Sequence, residues 1–262
     1  MAHVLAIANQ KGGVGKTTST FNLAHALVEI GQKVLCIDAD PQASLTEYFG
    51  FSPDELEEKR QTLYFALIGD EPVPLAGLAL GENPALIPTS IQLANADPEL
   101  RQHPLIEPQT VLRKQLKGLG DRYDFVLIDC QPSLGILPIN ALAAADSVLV
   151  PVETSRLSRS GLRHFFDTMR RVRRHLNPQA EVWGILPTKF DVRTTQDNEQ
   201  LAIIREFAAA RHVRVFEPIK DTTMFDKASA AGVPVSAIRS GPMAIENYKH
   251  IAQELMAHAA AR

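Results

Sequence analysis

Gln10-Lys11-Gly12-Gly13-Val14-Gly15-Lys16-Thr17-Thr18 stands between two stretches of different character. Before it, Val4-Leu5-Ala6-Ile7-Ala8 is a short, unbroken apolar run, the pattern of a buried strand. After it, Phe21-Asn22-Leu23-Ala24-His25-Ala26-Leu27-Val28 carries apolar residues at helical spacing, with Gly31 as a stop. A glycine-rich turn from a strand into a helix is a cradle for phosphate. The glycines let backbone N–H groups converge on an anion, and the helix N-terminus adds the positive end of its dipole. Lys16 is placed to reach terminal phosphates, and the Thr17 hydroxyl to ligate Mg2+.

The usual spacing, G-x-x-x-x-G-K-[ST], needs glycine at position 10, where this chain has Gln10. The pattern here is K-G-G-x-G-K-T-T, opened by a second lysine, Lys11. This deviant Walker A motif resembles the ParA/MinD family of P-loop ATPases. The resemblance implies that Lys11, Gly12, Gly13, Val14, Gly15, Lys16, Thr17 and Thr18 bind ATP. It also implies an ATP-dependent homodimer in which Lys11 reaches the partner's nucleotide while Lys16 serves its own.

Lys33-Val34-Leu35-Cys36-Ile37-Asp38 reads as a second strand, followed by Ala39-Asp40-Pro41-Gln42. Carboxylates at a strand's end fall at the sheet edge where doubly wound folds bind ligands. Two acids two residues apart share one side of an extended chain. By resemblance, Asp40 positions or deprotonates the water that attacks the γ-phosphate, and it stands near the metal. Asp40 also suits a helix N-cap with Pro41 at the first helical position. Tyr123-Asp124-Phe125-Val126-Leu127-Ile128-Asp129 has the form of a Walker B strand, with Asp129 holding Mg2+ through water. The next residues, Cys130-Gln131-Pro132-Ser133, resemble the family's D-C-P-P run except at Gln131.

Composition narrows the setting. The chain has 262 residues, 45% hydrophobic and 22% charged, which suits one large α/β domain over residues 1–262. A net charge of −3 excludes a protein that is basic throughout, so any polyanion site is a local patch. Cys36 and Cys130 fall in predicted core strands and have no metal-binding spacing, which suggests a reducing cytoplasm and argues against an iron–sulfur centre. The N-terminus runs straight into the first strand, so no signal peptide is expected. No apolar run approaches the roughly 20 residues of a membrane span.

The middle of the chain says less. Leu63, Phe65, Ala66, Leu67 and Ile68 suggest a helix, residues 69–84 a loop, and Ala85-Leu86-Ile87-Pro88 a short strand. Val111, Leu112, Leu116 and Leu119 mark another helix. Ser147-Val148-Leu149-Val150-Pro151-Val152 is again a strand. After it, seven arginines between Arg156 and Arg174 face a single acid, Asp167. Leu162, Phe165, Phe166, Met169, Val172 and Leu176 form the apolar stripe of that helix, with Arg163, Arg170 and Arg174 opposite. Such a face binds phosphates without reading sequence; it is equally the composition of a solvated helix surface.

Glu181–Asp191 is a strand entering a loop, and by resemblance Thr188 and Asp191 contact base or ribose. The following Arg193-Thr194 resembles the Soj-type arrangement, in which the arginine touches DNA; Arg193 reads equally as a solvated loop residue. Val213-Arg214-Val215-Phe216 reads as the last strand. The loop at Pro218 is implied to approach the adenine, and Lys220 and Arg239 extend the basic surface. The family's P-R-x-x-R run is missing. Residues 243–259 read as a helix with the stripe Ile245, Tyr248, Ala252, Leu255 and Met256, which suits core packing rather than a membrane surface.

The expected fold is a mostly parallel doubly wound sheet with helices on both faces. The resemblance implies an ATPase, cytoplasmic and nucleoid-associated, that binds DNA non-specifically and segregates chromosome or plasmid DNA with a ParB-like partner. A MinD-like ATPase acting on a membrane or a protein assembly is the alternative.

Overall fold

The computed structural model describes residues 2–68, 72–102, 107–133, 135–156, 159–238 and 242–262. Among them, seven strands make one parallel sheet in the order β3-β2-β4-β1-β5-β6-β7. The strands are β1 His3–Ile7, β2 Val34–Ala39, β3 Ala85–Ile87, β4 Phe125–Cys130, β5 Ser147–Glu153, β6 Glu181–Thr188 and β7 Arg214–Val215. A parallel sheet covered on both faces needs strands that are apolar throughout. β2 and β4 accordingly bury every residue. The one antiparallel contact in the described residues is a single bridge, Leu80 with Leu86, at the sheet edge.

Side-chain alternation divides the core in two. Leu5, Ile7, Cys36, Phe125, Leu127 and Leu149 point toward the helices Lys16–Glu29 and Pro242–Ala260, meeting Phe21, Leu23, Leu27, Ile251 and Leu255. Val4, Ala6, Val126, Ile128, Val148 and Val150 point the other way, toward the helices Ile136–Ala144, Arg159–His175 and Thr195–Ala209. The neighbouring strands β1 and β4 therefore feed helices on opposite faces. That divergence opens a crevice at their C-terminal ends, the position where open α/β sheets take ligands.

Several expectations shift. Residues 69–84 are not all loop, since Leu75–Leu78 turns as a short helix with Leu75 and Leu78 buried; residues 69–71 lie outside the described residues. Asp40 does not cap a helix. Pro41 and Gln42 form a turn closed by Ala43 N–H on the Asp40 carbonyl at 2.8 Å, and the helix Ser44–Tyr48 starts after Ala43 at φ 56°. In the last helix, Tyr248, Ile251, Ala252 and Leu255 are buried, whereas Met256 is 41% exposed. Eight residues carry Met256 about 80° round the helix from Tyr248, off the packed stripe. The side chain of Ile245 lies outside the described residues. Both cysteines are free and buried, and burial pushes their thiols well above the usual range. No helix among the described residues is long and apolar enough to cross a membrane.

Packing is tight where β6 meets the segment after β7. Phe216 is 4% exposed and lies against Trp183 with ring centroids 4.6 Å apart. A Cβ at Gly184 would fall 3.0 Å from Phe216 Cδ2 and closer still to Cε2. Gly184→Ala is therefore expected to lower the unfolding free energy by about 1–3 kcal/mol. Urea unfolding reads this as a lower midpoint at constant slope; an unchanged midpoint would show that the ring yields at no cost.

Candidate nucleotide-binding site

The loop after β1 is shaped by its glycines. Gly13 and Gly15 take φ of 73° and 82°, values that side chains with a Cβ rarely adopt. The helix begins at the next residue, Lys16. Lys16 is 6% exposed, and its Nζ donates to the Lys11 carbonyl at 3.2 Å, so the amine lies back across the loop mouth. Burial lowers the Lys16 pKa, and the Asp129 carboxylate works against that shift.

Thr17 Oγ1 donates to Asp129 Oδ2 at 2.6 Å. Asp129 is fully buried, and its Oδ1 has no hydrogen-bond partner among the described residues. In register beside it is Asp38, also fully buried. Burial raises the Asp129 pKa well above the carboxylate range, and the charge of Asp38 adds to the rise. A buried carboxylate with one idle oxygen, a threonine hydroxyl on the other and a second acid nearby make a hard-oxygen donor set suited to Mg2+. The residues present fit that ion, with Thr17 and Asp129 as its holders.

The two acids of β2 part company. The chain turns at Asp40, whose N–H donates to Asp38 Oδ1 at 3.2 Å, so the extended geometry that would align them is lost. Asp38 Oδ2 accepts from Thr46 N–H and from Thr46 Oγ1, both at 2.8 Å. Asp40 instead lines a cleft of about 700 Å³ with its Oδ1 held by Gln42 N–H at 3.0 Å. That volume suits a drug-sized or nucleotide-sized ligand, for which pockets of roughly 300–1,000 Å³ are usual.

The far wall comes from β6 and the chain after β7. Thr188 lines the cleft, but its hydroxyl donates to the Val14 carbonyl at 2.9 Å and its methyl stands against Gly15, so it props the loop from beneath. Asp191 and Pro218 are not among the cleft residues. Asp191 takes the Arg193 guanidinium at 2.9 and 2.8 Å, which holds its carboxyl down at about 2, and the Pro218 carbonyl accepts from Asn247. Ile219, Lys220, Asp221 and Thr222 line the wall instead, with Tyr48, Phe225 and Tyr248. Sequence reasoning missed these aromatic rings, which carry no motif. It also missed Glu153, the acid that ends β5 at the same edge; its Oε2 lies 3.9 Å from Lys11 Nζ. The strand-end rule applied to Asp38 and Asp129 would have found it.

Arg163 and Arg170 are exposed on the helix Arg159–His175, whose buried side is Leu162, Phe165, Met169 and Val172. Arg170 pairs with Asp167 at 2.6 Å and Arg193 with Asp191 at 2.8 Å. Arg239 and the side chain of Arg156 lie outside the described residues.

A strand, a glycine loop and a helix converging on a buried lysine, with acids at two neighbouring strand ends, define a P-loop nucleotide-binding protein. Residues 2–182 match a family model described as an AAA domain. The chain is 36% identical over 260 residues to the sporulation initiation inhibitor protein Soj of Bacillus subtilis, spanning 98% of this chain and 100% of that one. It is 42% identical over 203 residues to the chromosome partitioning protein ParA of Caulobacter vibrioides, 76% of this chain and 73% of that one. Among solved structures it is similar to cobyrinic acid a,c-diamide synthase from Mycobacterium smegmatis with bound ADP and magnesium. The TM-score is 0.82 at 33% identity, covering 98% and 95% of the two chains. It is also similar to apo McdA from Cyanothece, with a TM-score of 0.85 at 26% identity over 98% and 100%. The chain belongs to this AAA-domain family, in its ParA/Soj branch of deviant Walker A P-loop ATPases.

Burial pushes Asp38 up to about 7, against the hydrogen bonds from Thr46. The unfolded value is about 3.9. Because the folded value is the higher one, the native state holds the extra proton between them. This group's contribution to stability is full below the unfolded value and is lost as pH rises toward about 7. Asp38→Asn, which keeps an acceptor for Thr46, should flatten that part of the profile and raise Tm relative to wild type at pH above about 7. Circular dichroism melts across the range check it; parallel profiles for the two proteins would show that Asp38 titrates normally.

Proposed function

We propose that this chain is a Mg2+-dependent ATP hydrolase of the partition type, working as a nucleotide-controlled dimer that holds DNA without reading its sequence. The observation that carries the reading is the convergence of Lys16, Thr17 and Asp129, with its idle Oδ1, beneath a loop headed by a second lysine. The relatives named for chromosome partitioning and the ADP–magnesium complex of a solved neighbour support it.

In this reading the loop from Lys11 to Thr18 wraps the phosphates of ATP. Lys16 exchanges the Lys11 carbonyl for phosphate oxygens, where its charge is worth more. Thr17 and Asp129 would hold Mg2+, which would supply charge neutralisation to the phosphates. Asp40, on the cleft wall, orients a water in line with the γ-phosphorus. The water's oxygen forms the new bond to phosphorus, its proton passes by way of Asp40 to the released phosphate, the bond to the bridging oxygen breaks, and ADP leaves with that electron pair. Lys11 sits 3.9 Å from Glu153 within its own chain. On pairing it moves to the partner's nucleotide, so dimerisation depends on ATP. Pairing brings two basic surfaces together, each with Arg163, Arg170, Arg193 and Lys220, and doubles the cationic groups available to one DNA segment. A ParB-like protein accelerates hydrolysis and releases the pair, which moves chromosome or plasmid DNA.

Lys16→Ala should abolish ATP binding in calorimetry. Lys11→Ala should keep ATP affinity within a few-fold yet sediment as a monomer with ATP, and a normal ATP dimer would refute the role in trans. On the DNA side, Arg170 and Arg193 already face carboxylates, so Arg163→Glu should weaken retention more than Arg193→Glu. Removing one arginine that neutralises a phosphate should lower the slope of log affinity against log salt by roughly 0.9. Filter binding over a salt series measures this, and identical slopes in wild type and both variants would make the arginine face plain solvated surface.

A further inference from the structure

The helix Ile136–Ala144 follows the Walker B strand and begins just after Gln131 and Pro132. Its own cap residue, Gly135, offers no side chain. The first backbone donors are taken by a carboxylate from elsewhere. Asp97 Oδ2 accepts from Ile136 N–H at 2.9 Å, and Asp97 Oδ1 accepts from Leu137 N–H at 3.0 Å. A carboxylate there also meets the positive end of the helix dipole. A Cβ at Gly135 would collide with Asp97 Oδ2, so glycine is what admits the carboxylate. Asp97 sits in the helix Ala96–Gln102, in a stretch of sequence that carries no motif.

The segment that brings Asp97 to this point is fastened at its other end too. Thr89 N–H donates to Thr46 Oγ1 at 3.0 Å, and the same hydroxyl donates to Asp38. Residues 89–97 therefore run from Thr46, the residue that holds Asp38, to the helix behind Asp129. Pro132, in the loop between, lies against Gly12 of the phosphate loop. Asn140, buried in the capped helix, adds a second tie: its Oδ1 accepts from Leu112 N–H at 3.1 Å.

We infer that Asp97 is a positioning residue for hydrolysis, and that residues 89–97 are a brace coupling the helix Ser44–Tyr48, which follows the Asp40 turn, to the helix Ile136–Ala144, which follows Asp129. This rests on the ATPase reading above. The brace holds these two helices at one spacing, and with them the turn that carries Asp40 and the strand end that carries Asp129, so the effect falls on turnover and not on nucleotide capture. Any partner that shifts residues 89–97 would then alter both helices together.

A double-variant cycle tests it on the full chain. Asp97→Ala should leave ATP affinity within about twofold and lower kcat by roughly threefold to tenfold, the scale expected for loss of a charged cap. Gly135→Ala, which forces the carboxylate out, should reproduce that loss. In the Asp97→Ala background, Gly135→Ala should have almost no further effect, because nothing is left to displace. Hydrogen exchange of the Ile136 and Leu137 amides, measured without nucleotide, should quicken in Asp97→Ala while the protection of β4 is unchanged. Unchanged kcat per folded site in Asp97→Ala, or strictly additive effects of the two substitutions, overturns the inference. Wild-type protein with no ATP turnover at all would overturn the functional reading instead, and the exchange data would still report on the cap.

Discussion

One carboxylate organises the molecule's working edge. Asp129 is walled into the sheet between β1 and β2, beside a second buried acid, and a threonine from the phosphate loop donates to one of its oxygens. Two carboxylates in adjacent strands cannot both ionise cheaply in such a place. The chain tolerates the pair because each acid is given donors: Thr17 for Asp129, and Thr46 for Asp38. Those threonines open the two helices that form the cleft floor. Solving the electrostatic problem of the sheet therefore also sets the position of the loop that grips phosphate.

The same constraint explains the division of labour between Asp38 and Asp40. An acid kept in the sheet serves structure. An acid one turn further on, released by the bend at Pro41, faces the cleft. Thr188 shows a similar dependence on position: its hydroxyl supports Val14 from below, while Ile219 and Lys220 line the cleft wall.

How much of this was legible follows from the range of each interaction. β1, the glycine turn and the helix at Lys16 were readable because periodicity and backbone freedom are local properties. The acids at the ends of β2 and β4 were readable because apolar runs stop where they stand. The directions of those acids were not, since the turn at Asp40 depends on hydrogen bonds made by Asp38 and Gln42. Thr188 and Val14 meet across 174 residues of chain, and Asp97 and Ile136 across 39. No spacing rule reaches so far. The aromatic wall was hidden for a further reason, since rings in a helical stripe look the same whether they pack a core or border a cleft.

The helix Pro242–Ala260 is held at two points. Tyr248 borders the cleft and shares a hydrogen bond with Ser19, at 3.2 Å. Ten residues on, about 15 Å along the axis, His258 joins Ser147 and Glu181 at the opposite edge of the sheet. There its ring lies 5.7 Å from Trp183, the chain's single tryptophan. The indole thus packs beside one fixed point of a helix whose other fixed point borders the cleft, so a single rigid element spans the sheet from the phosphate-loop side to the tryptophan.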